Sequence, residues 1–306
     1  MSQPSGLSTA RRIRFVLTSV ILISIILALG LPSVLGYSFM ASLTVPGCGG
    51  EADPADYGMA REDIHFPSSE VAADYAGYFI PGNNDATVIV VPTLRSGRGD
   101  RMQEIAVYQR GGYNVLTYQS RSCFGKPHSL GYLEVTAVGD ALDYLRTRGD
   151  VAMDQIAVHG FSAGGATSLM ALARYPTLQA AIAHGGYEDF DGILHDSIAP
   201  MGLLGNVFRF AAQLAYRQVV GEDISVLSPL AAVQTSAPRP ILLIYGSTEV
   251  TLAGARAMQA IAPERVSLWV VPGAGHGDYV TTAGEAVYAT EVYRFLDAAL
   301  ATSPSN

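Results

Sequence analysis

The 306 residues carry a formal charge of −8, with 15% charged and 49% hydrophobic residues; the length suits one large α/β domain or two small ones, and there is ample material for a core. An acidic chain without lysine and arginine clusters argues against a nucleic-acid partner. The six histidines include no HExxH pair and the two cysteines no metal-ligand spacing, so neither a metal nor a cofactor is expected.

The first element is apolar. Residues 15–35 read FVLTSVILISIILALGLPSVL without a charge. That length suits a bilayer-spanning helix, and a transmembrane anchor is expected over 15–36. Arg11, Arg12 and Arg14 precede it, and the next charge is Glu51. This asymmetry predicts a cytoplasmic N-terminus (1–14), a single pass of the inner (plasma) membrane, and an extracytoplasmic domain. The competing reading is a cleaved signal peptide, whose apolar region usually runs 7–15 residues. Either reading exports the domain. Acylation at Cys48 is disfavoured because Cys48 lies far past the apolar run. Export permits a disulfide between Cys48 and Cys123, but free thiols are an equal expectation.

A Gly, Pro and Asp-rich linker is expected over 37–61, and the folded domain over 62–302. Strands are predicted at 62–66, 75–80, 86–93, 113–119, 155–161, 179–186, 240–246 and 266–273. Helices are predicted at 100–112, 133–149, 163–176, 251–262 and 286–301. This alternation predicts one doubly wound, mostly parallel sheet of about eight strands. Residues 187–239 hold no clear strand, and 206–220 are helical and apolar on more than one face. The segment is expected to form a small helical cap over the carboxyl edge of the sheet, where ligands bind in such folds.

The stretch HGFSAGG (159–165) places Ser162 between a strand and a helix, with Gly160 and Gly164 at either side. That is the context of a nucleophile elbow. His276, after the last strand, is the expected base, while His159 is expected to be a packing residue. Glu249, after strand 240–246, is the expected acid that orients the imidazole, with Glu188 or Asp189 as fallback. The order Ser162, Glu249, His276 is that of an α/β-hydrolase triad. The backbone N–H of Ala163 is one expected oxyanion donor, and that of Leu94 or Thr93, after the third strand, the second. Arg95 and Arg98 are expected to be solvated.

GYNVLTYQSRS, SLGYLEVTAVGDALDYLRTR, IAVHGFSAGGATSLMALAR, SPLAAVQTSAPRPILLIYGSTEV and WVVPGAGHGDY together resemble the α/β-hydrolase superfamily, on its serine-esterase and prolyl-oligopeptidase-like branch. The resemblance covers most of 62–300. It implies the fold and a serine hydrolase acting through an acyl-enzyme, not a substrate; the membrane anchor and the apolar cap suit a small, hydrophobic ester or acyl substrate. A peptidase or acyltransferase with the same triad, or a non-catalytic binding protein on the same fold, are the alternatives. No propeller repeat precedes the motifs, which favours the esterase expectation. Three sites depart from the family pattern. Pro92-Thr93 stands where His-Gly is usual after the third strand, Glu249 where aspartate is usual, and Gln119 where aspartate usually ends the fourth strand.

Overall fold

The computed structural model describes residues 9–301. The expected cytoplasmic segment 1–14 therefore lies in part, and the final residue of the expected domain wholly, outside the described residues. The described chain divides into two compact units. One comprises residues 9–42 with 194–223; the other comprises 43–193 with 224–301.

The larger unit is built on an eight-stranded sheet. Its strands are β1 (Glu62–Phe66), β2 (Tyr75–Ile80), β3 (Thr87–Val91), β4 (Asn114–Tyr118), β5 (Ile156–Phe161), β6 (Leu178–His184), β7 (Ile241–Gly246) and β8 (Val266–Val271). Their order is β1-β2-β4-β3-β5-β6-β7-β8. β1 and β2 pair antiparallel, as do β2 and β4; every later pair is parallel. The central strands β3, β4, β5 and β7 are buried at every position. The Val, Ile and Leu runs of β3 (TVIVV) and β7 (ILLIYG) suit that burial, because a parallel sheet is covered on both faces.

Helices α2 (Met102–Arg110), α3 (Glu134–Thr147), α4 (Ala163–Arg174), α7 (Pro229–Thr235), α8 (Leu252–Ile261), α9 (Tyr279–Ala283) and α10 (Glu285–Leu300) supply the two covering layers. On one face Val138 and Leu142 of α3, Leu169 of α4, Val233 of α7 and Met258 of α8 pack on the sheet. On the other, Ile105 and Tyr108 of α2 meet Val292 and Leu296 of α10. Within the expected cap, residues 224–239 belong to this unit, where α7 lies against α4. α7 is capped by Ser228, whose hydroxyl accepts from the Ala231 N–H, and begins on proline.

Residues 47–52 run beside the loop after β3. Gly47 N–H donates to the Ser122 carbonyl at 3.2 Å, Gly97 N–H donates to the Gly49 carbonyl, and Cys48 is disulfide-bonded to Cys123. The two cysteines, left open by the sequence, thus join the stretch after the apolar helix to the turn after β4.

In the smaller unit α1 (Thr9–Thr44) carries the apolar run and continues past its expected end at residue 36, into the stretch expected to be linker. It is long and apolar enough to cross a membrane, a property shared by anchors and signal sequences. α6 (Leu203–Val220) packs on its C-terminal part. The rings of Phe39 and Phe208 lie 5.8 Å apart, and the Tyr37 hydroxyl donates to Gln218 Oε1 at 3.2 Å. At Gly36 an added Cβ would fall 2.1 Å from the Phe208 carbonyl oxygen, so the two backbones meet there. α5 (Phe190–Ile198) is the helix that leads from the sheet unit into this insertion.

Candidate active site

Five loops at the carboxyl ends of β3, β5, β6, β7 and β8 converge, as the parallel order requires. Ser162 follows β5 directly at φ 57°, ψ −120°, a conformation L-residues rarely adopt. Its N–H donates to the His184 carbonyl at 2.7 Å, so the elbow is tied to the neighbouring strand. A Cβ on Gly160 would lie 2.0 Å from the Gly164 carbonyl oxygen, which is why only glycine lets strand and helix meet so closely. α4 starts at Ala163, and the first N–H of a helix has no intrahelical partner. The Val91 and Pro92 carbonyls lie 3.0 and 3.2 Å from where a Cβ on Gly164 would stand. The Pro92–Leu94 turn thus runs beside the elbow, without the usual His-Gly. The buried ring of His128 neighbours the Thr93 backbone and accepts from the Leu130 N–H at its Nδ1 (2.9 Å); burial lowers its pKa.

His276 Nε2 lies 3.1 Å from Ser162 Oγ. Its loop is shaped by Asp278, whose Oδ1 accepts from the Gly275 N–H at 2.8 Å, and the ring packs against Phe161 with centroids 4.6 Å apart. The imidazole is 48% exposed. Its Nδ1 is 3.6 Å from Glu249 Oε1, whose carboxylate is only 3% exposed. That spacing is looser than a hydrogen bond, as is common before substrate tightens a site. The β7 and β8 loops are pinned together by Thr248, whose hydroxyl and N–H both donate to the Ala274 carbonyl.

Neither fallback acid reaches His276. Glu188 lies against Gly254 of α8, and Asp189 Oδ1 accepts from Gly192 N–H at the start of α5. His159 is buried in β5, its Nε2 sharing a hydrogen bond with His184 Nδ1 at 3.2 Å. Arg98 pairs with Asp63 at 2.8 Å and stacks on Tyr78, so it is not simply solvated.

Two residues that the sequence reading passed over complete the site. Tyr279, on α9, donates its hydroxyl to Glu249 Oε1; burial, then that carboxylate, raises its pKa. Gly185, after β6, has φ 54°, and a Cβ there would lie 2.2 Å from Tyr279 Oη, 2.9 Å from His276 Nδ1 and 3.1 Å from Glu249 Oε1. HGG after a strand is the only signal for Gly185, and nothing in spacing marks Tyr279. Beside Ser162 and His276 opens a cavity of about 480 Å³, walled by Tyr187, Phe190, Ile193 and Val250.

The sheet order, the elbow and the loop-borne His define an α/β-hydrolase fold. The chain belongs to the prolyl oligopeptidase family of serine hydrolases, whose model matches residues 128–303. Among solved structures, an esterase of Pyrococcus furiosus is similar at TM-score 0.66 and 20% identity, covering 84% of this chain and 98% of its own. The acylaminoacyl peptidase of Pyrococcus horikoshii is similar at TM-score 0.59 and 14% identity, covering 81% of this chain and 43% of its own. A puromycin-hydrolyzing peptidase of Mycobacterium tuberculosis gives TM-score 0.61 and 18% identity, covering 84% of this chain and 42% of its own. At these identities the likeness is one of fold. No curated protein matches the chain.

Proposed function

We propose that the chain is a membrane-anchored carboxylic-ester hydrolase whose triad is Ser162, His276 and Glu249. The observation that carries this reading is the 3.1 Å approach of His276 Nε2 to a serine held at an elbow. His276 takes the Ser162 proton as Oγ attacks the acyl carbonyl and the Oγ–C bond forms. Glu249 stabilises the resulting imidazolium. The N–H groups of Ala163 and Leu94 bind the oxyanion. Collapse breaks the bond to the leaving alkoxide, which takes the proton from His276. Water, activated by the same imidazole, then attacks the acyl-enzyme and frees the acid and Ser162. The apolar wall of Phe190, Ile193 and Val250 suits a hydrophobic substrate. α1 is the anchor, with the domain on the extracytoplasmic side. The Cys48–Cys123 disulfide supports that side, since such bonds persist in oxidising compartments.

The test is labelling of the full chain by a fluorophosphonate probe, beside Ser162→Ala. Wild type is expected to label and the variant not to. Failure of folded wild type to label sinks the hydrolase reading, and labelling that survives in the variant sinks Ser162. The family match keeps a peptidase reading alive. A panel of p-nitrophenyl esters against aminoacyl anilides separates the two, faster turnover of anilides overturning the esterase.

A further inference from the structure

α6 presents an apolar stripe to the outside. Leu203, Val207, Phe210 and Leu214 recur at i, i+4, i+7 and i+11, which is one face of a helix. Leu203 is 71% exposed, Phe210 67% and Leu214 42%. The opposite side, Ala211, Ala212, Ala215 and Tyr216, is buried. The helix carries Arg209 and Arg217 and no acidic residue. An amphipathic helix of this kind, basic and tipped with Phe and Leu, suits the surface of an anionic bilayer.

Its attachment to α1 fixes the depth. Counted from Phe15, the first residue past Arg14, the 21 residues to Leu35 make about 31 Å of helix, which matches the hydrocarbon thickness. Gly36, Tyr37 and Phe39 therefore fall just beyond the hydrocarbon, at headgroup level, where tyrosine is favoured. These are the residues that hold α6, through Phe208 and Gln218. We infer that α6 lies in the extracytoplasmic membrane–water interface, with Leu203, Phe210 and Leu214 inserted among the lipids. The inference rests on α1 being an anchor.

The full chain, reconstituted in vesicles of phosphatidylcholine and phosphatidylglycerol, tests it. The two native cysteines are joined, so an introduced cysteine is the thiol that reacts. An environment-sensitive fluorophore is placed at Phe210→Cys, at Leu203→Cys as a second α6 site, at Leu22→Cys in α1, and at Arg294→Cys on α10. Unchanged hydrolysis of p-nitrophenyl acetate checks that each variant is folded. The α6 labels are expected to be quenched several-fold more by shallow spin-labelled lipid than the Arg294 label, and the Leu22 label by deep spin-labelled lipid. α6 labels quenched by aqueous iodide like Arg294, with Leu22 still in lipid, overturn the inference and leave the anchor standing. α6 labels shielded from both quenchers mean a protein partner or a second copy covers the stripe, which overturns it too. A Leu22 label open to iodide overturns the anchor and the inference together.

Discussion

Tyr279 and His276 address the same oxygen of one buried carboxylate: the tyrosine hydroxyl donates to Glu249 Oε1, and His276 Nδ1 lies 3.6 Å from it. Burying a carboxylate this far costs free energy unless donors reach its oxygens. Tyr279 thus holds the Glu249 carboxylate in place beside His276. Tyr279→Phe is expected to lower kcat about fivefold, the worth of one such hydrogen bond. An unchanged kcat would leave Tyr279 with packing alone.

Gly185→Ala is expected to leave the sheet folded and to disable the site. The new methyl would overlap Tyr279 Oη, His276 Nδ1 and Glu249 Oε1 together, at a backbone φ of 54°. A displacement of about 1 Å at reacting groups costs on the order of 100-fold in rate. Ester turnover beside a thermal melt checks it, and near-normal turnover would mean that the triad can shift as a block.

The Cys48–Cys123 bond closes a 75-residue span. Its loss, by reduction or by Cys48→Ser with Cys123→Ser, is expected to cost about 3 kcal/mol of stability. Residues 47–52 also flank the loop after β3, with Gly49 bridging Ser96 and Gly97 abutting Glu51. Since Leu94 sits in that loop, kcat should fall more than KM changes. Equal kinetics at a temperature well below both melting points would separate the bond from the oxyanion turn.

His159 and His184 are buried side by side, and burial lowers the pKa of His159 to about 3 and that of His184 well below its ordinary value. Unfolded, each titrates near about 6.5. Below that pH the unfolded chain binds protons that the folded one refuses. Stability present above about pH 6.5 is therefore lost as pH falls toward 3, at about 1.4 kcal/mol per pH unit for each histidine. Glu70, raised to about 7 by burial despite Arg121 at 2.8 Å, binds its proton first in the folded state and offsets one histidine. Urea midpoints from pH 7 to 4.5 should show a shallower slope in His159→Phe than in wild type. Parallel slopes would remove His159 from this account.

Much of the sheet was legible because strands such as β3 and β7 are continuous apolar runs and the crossover helices repeat at 3.6-residue spacing. All eight strands overlap the expected segments, β1 among them although EDIHF is not an apolar run. α5 and α7 were legible only as a strandless stretch, since each is short and α7 takes its place from packing on α4 rather than from its own pattern. The serine, acid and histidine sit in loops whose order along the chain and position at strand ends are visible in one dimension. Tyr279 and Gly185 are not visible in that way: they meet Glu249 because β6, β7 and β8 are neighbours, a fact of sheet order. The disulfide was open for the same reason, 75 residues separating partners that the β3 and β4 turns bring together.

Ser162 is held at φ 57° by the chain on either side, and a non-glycine residue there costs the fold on the order of 1–3 kcal/mol. A glycine at this position would suit the backbone better than the serine does. The fold is thus slightly weaker for having a hydroxyl at the elbow, and folding alone gives no reason for its presence. The proposed triad supplies one, with His276 Nε2 3.1 Å from that hydroxyl.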